Sequence, residues 1–251
     1  VIKSIRTAVS KKIGWLQPYR KRKYHHLYLP KYRSNESLVD DEVYIQSAVD
    51  QIKTLQEHLE INQSTSLLDF GCGQGRLANG FIFMNQTLGN YCGIDTDLIA
   101  IKWCQRWIQK FHPEFTFIHV NAHHPRYNPD AKSRPELPLQ SDSFDIAFAN
   151  SVFSHMLEND LMFYLKEILK ILKKGGLFYL TAFIEENVPD VEENPPGYLD
   201  SKSIGVLHRV RYSKSYFIDQ VEKCGYDIQD FQYRAIGRTQ QSQLIIRKSD
   251  Q

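Results

Sequence analysis

Asp69 closes an apolar run in SLLDFGCGQGRLA (residues 66–78), and glycines follow at positions 71, 73 and 75. Alternating glycines after a strand let a ligand lie against bare backbone. An acid at the same turn repels a pyrophosphate and suits a cationic or zwitterionic group. The dinucleotide fingerprint is G-x-G-x-x-G, whose third glycine allows close helix–strand packing. Here the spacing is G-x-G-x-G, and Arg76 stands where that third glycine belongs. Downstream, GIDTD ends a second β-rich run on Asp95, placed where a carboxylate can accept both hydroxyls of a ribose. A plain glycine turn is the alternative for the triplet alone; with Asp95 added, a ribose-bearing ligand without a pyrophosphate is indicated. Proton transfer has its own candidates. In NSVFSHM, His155 lies just beyond the fourth strand's carboxyl end, on the rim where α/β sheets bind ligands, and an imidazole titrates near neutral pH. His208 is the runner-up, and helix packing or capping is the alternative role of His155.

The elements that must hold these residues follow from periodicity. Parallel strands are predicted over 66–70, 91–95, 116–121, 144–149 and 177–182, with helices over 76–84, 98–111 and 159–172 between them. LKKGG supplies cations to the last of these helices and a glycine stop. A helix near 215–224 precedes YDIQDFQYR and QSQLIIRK, two alternating runs suited to the sheet's far edge. Such alternation means a parallel sheet covered on both faces. Upstream, Asp40 and Asp41 can cap a helix whose Ile45, Ala48, Val49, Ile52, Leu55 and Leu59 share one face. Ile2, Ile5, Val9, Ile13 and Leu16 recur at helical spacing among bases, as in a basic amphipathic helix, and an irregular connector bracketed by Pro18 and Pro30 follows.

Composition narrows the class. The 251 residues are 42% hydrophobic and 24% charged, and no apolar run approaches the roughly 18 residues that cross a bilayer, which excludes an integral helical membrane protein. Four cysteines without a C-x-x-C pair read as reduced and structural in a cytoplasmic setting. Ten of the 31 Lys and Arg fall in residues 1–33, which contain no acid, so the net charge of +2 hides a basic extension on an acidic body. That extension is a candidate for peripheral membrane contact.

LLDFGCGQGRLA, YCGIDTD, FIHVNAHHPRYNP, FDIAFANSVFSHM and EILKILKKGGLFYLTAFI, in this order, resemble the successive motifs of class I S-adenosylmethionine-dependent methyltransferases. More narrowly, they resemble a bacterial subgroup linked to sugar, glycolipid or natural-product modification. The resemblance implies a Rossmann-like α/β fold with a seven-stranded, mostly parallel sheet ordered 3-2-1-4-5-7-6, strand 7 antiparallel. It implies S-adenosylmethionine as cofactor, its methionine part against Asp69, Gly71 and Gly73 beside Gly75, its ribose at Asp95 and its adenine near Thr96, Asn121 and Ala122. Asn150 and Ser151 would line the passage to the acceptor. Many relatives carry Asp at the place of Asn121; an amide oxygen still accepts a hydrogen bond there. The expected domains are a basic extension or lid over 1–42 and a methyltransferase domain over 43–251, in which 185–213, with three prolines, is a candidate substrate lid.

Other signals carry less. NPPG at 194–197 resembles an amine-methylating motif but lies after the wrong strand, and His123–His124 lack the carboxylates of a metal site, so no metal is expected. Tyr24, His25, His26 and Tyr28 suit either stacking on bases and sugars or anchoring the extension on the body. The expected function is methyl transfer to a small-molecule or glycan-type acceptor, with nucleic acid disfavoured as a partner. RNA methylation and a non-catalytic binding protein on the same fold are the alternatives. The acceptor and the oligomeric state are not legible.

Overall fold

A computed structural model describes residues 20–33, 40–124, 128–132, 134–200, 209–237 and 239–249. The first elements among the described residues are a hairpin, β1 (Lys21–Tyr24) and β2 (Leu27–Pro30), where an irregular connector was expected; the basic amphipathic helix expected over Ile2–Leu16 lies outside the described residues. Leu27 and Leu29 supply its buried side, and Tyr24, His25 and His26 gather around Phe83. These aromatics therefore anchor the hairpin on the body. Helix α1 (Asp41–His58) starts where Asp40 accepts the Val43 amide, with Asp41 and Glu42 in its first turn to meet the helix dipole.

The main sheet contains β3 (Ser66–Phe70), β4 (Asn90–Asp95), β5 (Phe115–His119), β6 (Phe144–Ala149), β7 (Leu172–Glu185), β10 (Tyr226–Ile236) and β11 (Gln241–Lys248). Its order is β5-β4-β3-β6-β7-β11-β10, in which β11 alone runs antiparallel to both neighbours. This is the expected 3-2-1-4-5-7-6 arrangement. Two short strands, β8 (Val191–Glu193) and β9 (Val210–Ser213), extend it beside the end of β7.

Alternation along the strands divides the core. Leu67, Tyr91, Ile146 and Tyr179 face α1, α2 (Arg76–Phe83) and α3 (Leu98–Cys104), while Leu68, Cys92, Ala147 and Phe178 face α4 (Glu158–Ile171) and α5 (Lys214–Lys223). Helix α1 lies close on α2 because position 80 is glycine: a Cβ there would sit 2.7 Å from that of Ala48. Helix α3 passes into a π turn over Gln105–Gln109, which continues the helical segment without plain α geometry. LKKGG departs from expectation. Helix α4 ends at Ile171, and Leu172 already pairs with Phe144, so the motif opens β7 instead of ending a helix. All four cysteines are free and buried, and no described helix is long and apolar enough to cross a membrane.

Candidate active site

Parallel register brings the chemistry to one rim. Asp69 pairs with Gly93 and with Phe148, so the turn after β3, the end of β4 and the end of β6 open side by side. Gly71, Gly73 and Gly75 all have positive φ, at 80°, 52° and 71°. Two of them are fixed by packing: a Cβ at Gly71 would meet Val152 Cγ2 at 2.4 Å, and one at Gly75 would meet Ile108 Cδ1 at 2.4 Å. A Cβ at Gly73 would touch nothing within 4 Å, so the open side of the loop lies there.

The donors of this loop are turned inward. Gly71 and Cys72 N–H donate to the Ile94 carbonyl at 2.8 and 3.0 Å, Gly75 N–H to the Cys72 carbonyl at 3.0 Å, and Gly73 N–H to Asp95 Oδ2 at 2.7 Å. Four of the five amides from Gly71 to Gly75 are thus used within the protein. A phosphate cradle needs such groups free. What the loop offers a ligand is negative. Asp95 takes further backbone amides from Asp97, at 2.8 Å, and from Thr96, and keeps acceptor capacity on its carboxylate. Burial pushes its pKa up to about 6, against the opposing pull of these hydrogen bonds. Asp69 is 3% exposed and accepts the Tyr91 hydroxyl. Burial pushes it up to about 7, opposed by Tyr91 and by the Arg76 charge and assisted by Asp95.

Asp69, Gly71, Gly73 and Asn150 line one pocket with Arg33, Tyr44, Arg76 and Phe148. Helix α1 contributes its wall. Arg76 donates to Ser47 Oγ at 3.2 Å and Gln51 Oε1 at 2.6 Å, and Gln51 Nε2 donates to Asn150 Oδ1 at 2.6 Å. The Arg33 guanidinium covers the Tyr44 ring at 4.0 Å. Sequence reading passed over Tyr44, Gln51 and the positive role of Arg76. Gln51 gave a signal: it falls three residues after Ala48 and four before Leu55, a polar group on an apolar stripe.

The remaining expected residues occupy neighbouring positions. Thr96 Oγ1 donates to the Ala122 carbonyl at 2.6 Å, tying the ends of β4 and β5 together, and Asn121 Oδ1 accepts from Asn128 at 2.9 Å. Ser151 sits in the left-handed region, φ 59°, within a closed ring of bonds. Its N–H donates to Thr181 Oγ1 at 2.7 Å, Thr181 donates to Gln241 Oε1 at 2.7 Å, and Gln241 Nε2 donates to Ser151 Oγ at 2.8 Å. His155 ends a 3-10 turn over Phe153–His155, half-buried and outside the residues that line the pocket. His208 lies outside the described residues. His123 Nδ1 is bonded to the Ala131 carbonyl, and no metal-binding cluster exists among the described residues.

Around Glu185 the charges are paired. Tyr198 donates to Glu185 Oε1 at 2.8 Å, Arg234 does so at 2.7 Å, and Arg211 bridges Glu185 and Glu192.

The strand order, the glycine turn and the acid ending β4 coincide with one architecture. The chain has the class I methyltransferase fold. A protein-family model described as a methyltransferase domain matches residues 68–180. Among curated proteins, the ubiquinone biosynthesis O-methyltransferase of Pelagibacter ubique is 25% identical over 120 residues, 48% of this chain and 42% of that protein, so the match spans less than half of that relative's length. Among solved structures, the Burkholderia thailandensis 1,6-didemethyltoxoflavin-N1-methyltransferase superposes with a TM-score of 0.56 at 18% identity, covering 84% of this chain and 80% of that one. The [4+2]-cyclase SpnF superposes with a TM-score of 0.58 at 18% identity, covering 96% of each chain. At these identities the class I methyltransferase fold is the shared property.

Proposed function

We propose that this protein is an S-adenosylmethionine-dependent methyltransferase acting on a small-molecule or sugar-like acceptor, at oxygen or nitrogen, by direct displacement. The observation that carries the reading is the inward use of the glycine-loop amides beside two carboxylates. That site repels a pyrophosphate and favours a cation-bearing nucleoside. Asp95 ends β4 with a carboxylate that can still accept from the ribose, the open side of Gly73 leaves room for the chain attached to that ribose, and Arg76, whose described partners are a hydroxyl and an amide, faces an amino-acid carboxylate. Thr96, Asn121 and Ala122 border the adenine.

When bound, S-adenosylmethionine supplies an electrophilic methyl on a sulfonium whose departure leaves a neutral thioether. The protein's main task is therefore alignment, worth several kcal/mol in favourable cases. Asn150, held by Gln51, and Ser151, held by Thr181 and Gln241, border the passage on which the acceptor approaches. For a hydroxyl acceptor, His155 takes the proton, with His208 as the second choice.

Calorimetry with S-adenosylmethionine, S-adenosylhomocysteine and NAD tests the cofactor. The first two bind, NAD does not, and Asp95→Ala weakens binding at least about tenfold, or 1.4 kcal/mol. Unchanged affinity in that variant would remove the ribose from Asp95. Labelled methyl transfer into separate small-molecule and RNA pools tests the acceptor, and label in RNA alone would overturn the acceptor class. A second reading, cofactor binding without methyl transfer, is favoured by the cyclase among the structural neighbours. It predicts binding with no label in any pool.

A further inference from the structure

We infer that the outer face of α3, together with the hairpin β1–β2, is a docking surface for an anionic lipid membrane. Most large apolar side chains of the described residues are covered, yet Leu98, Ile99 and Phe111 stand 43%, 44% and 50% exposed along this one helical segment. Lys102, Arg106 and Lys110 are exposed between them, and residues 98–111 contain no acid. Positions 98, 99, 102, 106 and 110 recur at helical spacing on the outer side, a stripe about 18 Å long.

The hairpin continues it. Tyr28 packs on Trp107 and Phe111 with ring centroids 5.4 and 5.5 Å apart, and the Lys21 ammonium lies over Tyr28 and Trp107 at 3.4 and 3.7 Å. Tyr32, 41% exposed, stands just past the end of β2. Residues 20–33 contain no acid. Asp41 pairs with both Arg22 and Arg33, which leaves Arg20, Lys21, Lys23 and Lys31. With Lys102, Arg106 and Lys110 these make seven, none paired with a carboxylate among the described residues. Asp97 and Glu114 mark the ends of the stripe.

Charge complementarity names an anionic partner, and the open side chains name its kind. A nucleic acid needs ring faces free for stacking, but Lys21 covers a face of both Tyr28 and Trp107. The apolar groups that stand open include the aliphatic Leu98 and Ile99, which gain nothing from a sugar-phosphate strand. They enter the acyl boundary of a bilayer while the bases meet its headgroups.

Sedimentation of the full chain with vesicles tests this. The protein should pellet with phosphatidylcholine vesicles containing phosphatidylglycerol, stay in solution with phosphatidylcholine alone, and be released by salt. The triple variant Lys102→Glu, Arg106→Glu, Lys110→Glu should weaken pelleting about a hundredfold or more. Leu98→Ser with Ile99→Ser should weaken it about tenfold with charge unchanged. Circular dichroism and S-adenosylhomocysteine affinity monitor the fold of each variant and are expected to stay as in the wild type. Equal pelleting with neutral vesicles, undiminished pelleting of the triple variant (which would place the contact in residues 1–19), or tighter binding to RNA than to anionic vesicles would each overturn the inference.

Discussion

Asp69 and Asp95 both titrate upward, to about 7 and about 6, because burial disfavours their charged forms. Two consequences follow at the level of the single residue. In the ligand-free protein the raised values favour folding below the unfolded pKa, and that contribution is lost as pH climbs through 6 and 7. Asp69→Asn should accordingly flatten the melting temperature between pH 5 and 8. A cationic ligand reverses the preference by stabilising the carboxylates, so S-adenosylmethionine should bind about tenfold more tightly at pH 8 than at pH 5.5, with proton release in the calorimeter. A pH-independent affinity would show that neither carboxylate meets the sulfonium or the ammonium. The glycines make a second contrast. Gly75→Ala drives a methyl onto Ile108 and Cys104, whereas Gly73→Ala meets only the backbone strain of its positive φ, about 1–2 kcal/mol. Thermal melts should show the larger loss for Gly75→Ala. Gly73→Ala should keep a folded protein that has lost much of its affinity for S-adenosylhomocysteine.

Among the elements, the loop after β6 depends on a strand nearly a hundred residues later. Gln241 opens β11 and closes the ring through Thr181 and Ser151, holding Ser151 left-handed. Gln241→Ala takes a partner from the buried Thr181 hydroxyl and the half-buried Ser151 hydroxyl and should cost about 1–3 kcal/mol of stability. Turnover should fall well below the wild type while cofactor affinity changes only a few-fold, a split that uniform destabilisation does not produce. No such ring is legible in sequence, because each member is an ordinary polar residue until the sheet order sets β11 against β7. The sheet itself was legible: β3 and β6 occupy the predicted residues, since buried parallel strands declare themselves as short apolar runs bounded by Gly, Asp or Asn. The hairpin was not, because YRKRKYHHLYLP carries its alternation on bases and aromatics, and its turn is His25–His26 with a left-handed His25 instead of an Asn-Gly pair. LKKGG failed for a related reason: Gly175 and Gly176 signal an interruption without saying which element is interrupted.

Across the whole molecule, the segment beyond β7 is bound to the sheet by charge. Burial pushes Glu185 up, but Arg234, Tyr198 and Arg211 outweigh it, and its pKa is lowered. A lowered carboxylate adds stability above its unfolded value near 4.5, lost as pH falls through that value and below. Glu185→Gln should remove this acid-sensitive component and speed hydrogen exchange in β8 and β9, with the exchange of β3 and β4 unchanged.

Asn194 and Arg209 face each other at the mouth of this segment. The Asn194 N–H donates to the Arg209 carbonyl at 2.7 Å, and the Arg209 N–H returns to Asn194 Oδ1 at 2.8 Å. The chain between them begins and ends at one rung of a ladder, so the rung itself does not depend on what bridges the gap. Replacing residues 195–208 by a two-residue Asn-Gly turn sacrifices the Tyr198 hydrogen bonds with Glu185 and Arg209 and its ring contacts with Phe183 and Arg211, while the shorter closure recovers roughly 1–2 kcal/mol of chain entropy. The shortened protein should still melt cooperatively and still bind cofactor, which makes this rung a grafting point where acceptor preference can be exchanged as a cassette.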